Sequence, residues 1–157
     1  MIRRILFVCT GNTARSPMAR VLFEDVVSKD LSIQSDDIEV DCAGISEELS
    51  PGTPAAQESI QVMREYGLDL SNHESKSLDT RLAKWADLIL VMQAKHKEVV
   101  ASRFRDAIKK THVLTEYMGE TGEVPLQVNS GIQAYQECAA LLSSLLTKLA
   151  DRLKSLT

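Results

Sequence analysis

The sequence has little cysteine and no pattern in what it has. The three thiols, Cys9, Cys42 and Cys138, are odd in number and widely spaced. They form neither a Cys-x-x-Cys pair nor a zinc-ligand pattern, which leaves no disulfide framework and no metal site to expect. In a reducing compartment each is a free thiol unless chemistry says otherwise. Long apolar runs are also absent: no stretch approaches the roughly 20 residues needed to span a bilayer. The opening "MIRRILFV" sets a basic pair before an apolar run, but the run breaks at Cys9–Thr10–Gly11 after about five residues, short of the ~7–15 of a signal-peptide core. A cytoplasmic protein with no membrane partner is expected. Positive excess is missing too. The net charge is −4, and a nucleic-acid partner favours a basic face, so none is expected. There is no internal repeat, charge block or low-complexity tract, and nothing calls for a cofactor.

What is there suits one domain, residues 1–157. Apolar residues make up 44% of the chain, enough for a real core. Residues 4–8, "RILFV", carry an apolar, β-branched run that reads as a central buried strand. Ser16 and Pro17 then read as N-cap and first residue of a helix, with Ala19, Leu22, Phe23 and Val26 at helical spacing. Further strands are expected at 38–43, 86–92 and 111–114. Further helices are expected at 53–66, 95–104 and 132–153, with a loop over 116–130. Cys138, Leu141, Leu142, Leu145, Leu149 and Leu153 would line one face of the last helix. Strands alternating with helices imply a parallel sheet covered on both faces. Ligands of such sheets sit at the carboxyl ends of strands, and Cys9 stands at one of them.

The stretch "VCTGNTARS", residues 8–16, has a chemistry of its own. A helix N-terminus offers unpaired N–H groups and a positive dipole end to an anion. A thiol at such an end gives up its proton more readily than a free cysteine. Gly11 lets the backbone approach a ligand and adopt φ > 0. The N–H groups of residues 10–15 can curl into a nest. Arg15 presents a planar fork that matches two phosphoryl oxygens, and Ser16 can donate a hydrogen bond to the sulfur. Together these parts suit attack of a thiolate on phosphorus, with a thiophosphate intermediate that water then hydrolyses.

The sequence resembles the low-molecular-weight protein tyrosine phosphatase superfamily, which also contains bacterial protein arginine phosphatases and thioredoxin-coupled arsenate reductases. The resemblance rests on "FVCTGNTARSPMA" (7–19), "CAGI" (42–45), "HESKSL" (73–78) and "ADLILVM" (86–92), and covers nearly the whole chain. It implies an α/β single domain, a four-stranded parallel sheet flanked by helices on both faces. It implies Cys9 as nucleophile, Arg15 as phosphate clamp and Ser16 as stabiliser of the thiolate. Thr10, Gly11, Asn12, Thr13, Ala14 and Arg15 would bind phosphate. Asn12 would hold the loop in a strained shape, and His73 would bond toward the loop from behind. Where many members have a second loop cysteine, this chain has Ala14. Where serine usually precedes the "AG" of the second strand, it has Cys42, read here as packing. The family's general acid, an aspartate followed by proline, would fall at Leu126–Gln127. No aspartate occurs between Asp106 and Asp151; Glu120 and Glu123 are the carboxylates nearest in sequence. Thr13 stands where tyrosine-specific members have a bulky aliphatic residue and arginine phosphatases have threonine.

The expected function is removal of phosphate from phosphoarginine or phosphotyrosine in a phosphorylated protein, with phosphate or another oxyanion as ligand. The alternative is a catalytically weak phosphate-binding module that has lost its acid. An arsenate reductase fits worse, because segment 72–97 contains no cysteine for an electron relay.

Overall fold

The computed structural model describes residues 1–30, 32–33, 37–127 and 129–156. Four parallel strands form the sheet: β1 (Arg4–Cys9), β2 (Glu39–Gly44), β3 (Leu88–Val91) and β4 (Thr111–Val113). Their spatial order is β2-β1-β3-β4, and every neighbouring pair is parallel. From β1 the chain crosses first to one side, to β2, and later to the other, to β3. The crevice that this reversal opens lies outside the carboxyl end of β1, which is Cys9.

Alternation along β1 divides the core. Ile5, Phe7 and Cys9 face the larger cluster, with α1 (Arg15–Lys29), α2 (Gln57–Glu65) and α6 (Ile132–Ser155). Leu6 and Val8 face the other, with α3 (Thr80–Trp85) and α4 (Ala94–Arg103). Both faces are dry, which is why β1 and β3 are apolar without alternation.

The structure moves several expected boundaries. Helix α1 starts at Arg15, so Ala14 is the cap residue and Ser16 lies in the first turn. Pro17 still fits, because the third helical residue has no intrahelical N–H partner to lose. Helix α2 starts at Gln57 rather than 53, since Pro54 disfavours the helical region for Thr53 and the backbone of this stretch bonds elsewhere. Helix α3, a 3-10 turn at Arg105–Lys110 and the one-turn α5 (Leu114–Tyr117) were not legible. Leu114 therefore opens a helix instead of closing β4, and the loop begins later than 116; its Val128 lies outside the described residues. On α6 the buried stripe holds Cys138, Leu142, Leu145, Leu149 and Leu153 as expected, along with Tyr135 and Leu146, but Leu141 is exposed. It faces a cleft of about 470 Å³ shared with Leu126 and Cys138.

Candidate active site

The loop from Cys9 to Arg15 is shaped from behind. Cys9 O accepts from the Ile45 N–H (3.1 Å), and Thr10 O accepts from Ile45 (3.0 Å) and Ser46 (3.0 Å). Asn12 O accepts from His73 Nε2 at 2.7 Å. Thr13 O accepts from Ala56 N–H (2.9 Å), and Ala14 O from Met18 N–H (3.0 Å). In a trans peptide the following N–H points opposite to the carbonyl, and no described peptide bond is cis. With these carbonyls held by the scaffold, the amides of Thr10, Gly11, Thr13, Ala14 and Arg15 turn the other way, into one cradle. No side chain caps α1 and its first turn holds no acid, so nothing on the helix competes for that end.

The close approach needs Gly44. A Cβ there would stand 2.7 Å from Thr10 O, 3.1 Å from Asn12 N and 2.5 Å from Leu49 Cδ1. That explains the glycine of "CAGI". The "HESKSL" segment completes the back wall: Gly44 N–H donates to Lys76 O (2.9 Å), and Leu78 N–H to Gly44 O (2.8 Å).

The left-handed turn falls on Asn12, with φ 58°, and not on Gly11 as expected. Asparagine tolerates that region better than other non-glycine residues. Its side chain is held at both ends: Nδ2 donates to Ser16 Oγ at 2.9 Å and Oδ1 accepts from Lys76 N–H at 2.9 Å. Gly11 contributes open space, since a Cβ there would meet only Thr13 Oγ1, at 3.9 Å. Ser16 Oγ accepts from Asn12 Nδ2 and lies 2.9 Å from Cys9 Sγ and 3.4 Å from Ala43 O; toward a thiolate, which can only accept, the hydroxyl is the donor. Burial, partly offset by its bond to Asn12, lowers the His73 pKa, and the neutral ring bonds Asn12 from behind.

Arg15 is 6% exposed. A guanidinium carries five N–H groups. Nη1 spends both, on Gln93 Oε1 (2.5 Å) and Val124 O (3.0 Å), and Nη2 gives one to Thr10 Oγ1 (3.2 Å). Among the described residues nothing accepts from the Nε–H or from the second Nη2–H. The Nε–Nη2 edge of a guanidinium can bind two oxygens of an oxyanion at once.

Neither loop glutamate stands ready as an acid. Glu123 Oε2 accepts from the Ala94 N–H at 2.6 Å, at the start of α4. That bond, offset somewhat by burial and helped by Gln93, holds its carboxyl below the ordinary value. Glu120 pairs with Lys148 at 3.1 Å. Leu126 and Gln127 occupy the place expected for the acid. Burial pushes the Cys42 thiol up to about 11 and the Cys138 thiol up to about 12, so both stay protonated. The structure thus brings together Cys9 through Ser16, as the spacing suggested, and His73, as the resemblance implied. Sequence reasoning missed Gln93 and His96; their one signal was a position at the carboxyl end of β3, beside that of β1.

Comparison with known proteins agrees with this architecture. The description "low molecular weight phosphotyrosine protein phosphatase" matches residues 4–156. A protein named protein-arginine-phosphatase from Bacillus subtilis is 36% identical over 151 residues, 96% of each chain. One of the same name from Geobacillus stearothermophilus is 33% identical over 153 residues, 97% of each chain. A solved structure of the YwlE arginine phosphatase, a cysteine-to-serine mutant with a phosphorylated active-site serine, superposes with a TM-score of 0.88. It is 35% identical, and the match covers 96% of this chain and 95% of that one. No described helix is long and apolar enough to cross a membrane. Sheet order, loop and sequence match coincide, and the chain belongs to the low molecular weight phosphotyrosine protein phosphatase family.

Proposed function

We propose that this chain is a cytoplasmic, cysteine-dependent phosphatase that removes phosphate from phosphoarginine side chains of proteins. Cys9 attacks phosphorus, the P–N bond breaks, and the guanidine leaves with a proton taken from solvent. The phosphoryl group stays on sulfur. Water then attacks it, inorganic phosphate leaves and the thiolate returns. The observation that carries this reading is convergence: a thiol bonded by Ser16, five inward amides and the open edge of Arg15 meet at the carboxyl end of β1. The amides and Arg15 hold the equatorial oxygens, where charge develops. Ser16 stabilises the sulfur when it departs in the second step. The related structure with phosphate on the serine that replaces its cysteine supports the covalent step.

Two arguments favour phosphoarginine over phosphotyrosine. Two relatives spanning nearly the whole chain carry that activity in their names, and Thr13 is smaller and more polar than the residue usual in tyrosine-specific members. Chemistry adds a third. A phenolate, whose conjugate acid has a pKa of about 10, gains from a donated proton, and Leu126 cannot give one. A guanidine leaving from nitrogen can take its proton from water.

The same Leu126, with Glu120 and Glu123 committed elsewhere, favours a second reading, a phosphate-binding module with weak turnover. One purified sample decides between them when assayed on phosphoarginyl protein, phosphotyrosyl protein and nitrophenyl phosphate. Expected are turnover of the first and third, phosphotyrosine slower than the nitrophenyl ester by about 10²–10⁴, and no turnover in Cys9→Ser. Thr13→Ile should move preference toward phosphotyrosine. Phosphate protection of Cys9 from alkylation without turnover of any substrate would select the binding module.

A further inference from the structure

The start of α4 carries a buried histidine that the scheme above does not use. His96 is fully buried. Its Nδ1 accepts from the Gln93 N–H at 3.1 Å, so in the neutral ring Nε2 carries the hydrogen. Nε2 stands 2.9 Å from Thr10 Oγ1 and donates to it. Thr10 Oγ1 also accepts from Arg15 Nη2. Both lone pairs of the hydroxyl are therefore taken, and Thr10 is fixed against the guanidinium. Gln93, whose N–H sets the ring's tautomer, reaches the other end of the same guanidinium through Oε1. Its Nε2 in turn faces Glu123 Oε1 at 3.4 Å. Burial, reinforced by Arg15, pushes the His96 pKa down to about 3, which keeps the ring neutral beside a cation.

We propose that His96 is a positioning residue: by holding the Thr10 hydroxyl against Arg15, it presets the guanidinium with its Nε–Nη2 edge turned to the oxyanion. This rests on the phosphatase reading and adds to it the device that aims the clamp. The bonds of His96 go to Thr10 and Gln93 and not to the sulfur. Free of the Thr10 contact, Arg15 would keep only its Nη1 bonds and could swing about them.

The two ring nitrogens can be separated by substitution. In His96→Gln the amide N–H reaches about as far as Nε2 and can still donate to Thr10. In His96→Asn a carboxamide replaces only the Nδ1 side, so the Gln93 contact survives and the Thr10 contact is lost. The readouts are kcat and KM for nitrophenyl phosphate, and the inorganic phosphate concentration that half-protects Cys9 from iodoacetate. The second is independent of the fraction of folded protein. His96→Asn should raise the half-protecting concentration and lower kcat, each by about tenfold, as expected for one lost hydrogen bond in an ionic network. His96→Gln should stay within about threefold of the parent chain on that scale. Thr10→Val should reproduce His96→Asn, and the double variant should be no worse than either single one. Unchanged half-protection in His96→Asn, equal losses in the Gln and Asn variants, or additive losses in the double variant would each overturn the proposal. Protection of the unsubstituted chain without turnover would sink the phosphatase reading alone, and the half-protection comparison would still decide on His96.

Discussion

Asn12 is the residue on which the loop's shape depends. It sits at φ 58°, is fully buried, and its side chain ties Ser16 to the Lys76 backbone. Alanine in that conformation has no local hydrogen bond to offset the strain. Asn12→Ala should cost about 2–4 kcal/mol, the sum of a strained φ and unsatisfied buried partners. Urea unfolding would measure it, and a loss below about 1 kcal/mol would contradict the role. The same variant removes the Nδ2 donor from Ser16 Oγ, the hydroxyl that faces the sulfur. A second residue-scale outcome concerns Cys9 itself. Ala14 leaves no thiol in the loop. Cys42 pairs with Phe7, two positions behind the Cys9–Gly44 pair, so strand spacing and rise put its Cα roughly 8 Å from that of Cys9. That is beyond the reach of a disulfide without backbone movement. Oxidised Cys9 should pass from sulfenic acid to the irreversible acids. After prolonged peroxide treatment dithiothreitol should restore little activity; full recovery would show that a partner thiol is reached.

At the scale of elements, the site depends on close approach and on one helix start. Gly44→Ala would push a methyl into Thr10 O and Leu49 Cδ1, and overpacking of this kind costs about 1–3 kcal/mol. The expected signature is a drop in phosphate protection larger than that of an Ala→Gly change elsewhere in the sheet. Glu123 serves α4 as a cap and not the reaction as an acid. Glu123→Gln keeps an oxygen that can accept from the Ala94 N–H, so it should lower stability only slightly while the basic limb of the rate profile persists. Loss of that limb would restore Glu123 as the donor. These elements also mark how far the sequence could be read. The apolar runs of β1 and β3 and the Cys9-to-Ser16 loop were legible because buried strands and phosphate cradles demand particular residue types at particular spacing. Helix α3, the Arg105–Lys110 turn and α5 are too short to show a period, and only Asp79 capping Leu82 hints at the first. Leu141 misled because spacing alone does not say which edge of an apolar stripe meets the core. Gln93 and His96 went unseen because nothing local ties them to loop partners 78 and 86 residues earlier.

Across the whole molecule the three histidines share one behaviour. Burial lowers the pKa of His96 to about 3 and lowers those of His73 and His112 as well. The folded state keeps them neutral where the unfolded chain, with values near ~6.5, takes up protons. Below about pH 6.5 the unfolded state binds more protons, so stability falls as pH falls, by at most ~1.4 kcal/mol per pH unit for each histidine. The melting temperature should decline from pH 7 to pH 5, and less so in His96→Gln; a flat profile over that window would contradict the buried neutral rings. The carbonyls of the Cys9–Arg15 loop, all but that of Gly11 taken up by strands, helices and side chains behind it, have a calorimetric consequence. A cradle ordered before its ligand arrives loses little conformational entropy on capture. Oxyanion binding should then release heat from charge-assisted bonds with a heat-capacity change near zero, and free and occupied loops should superpose within about 1 Å.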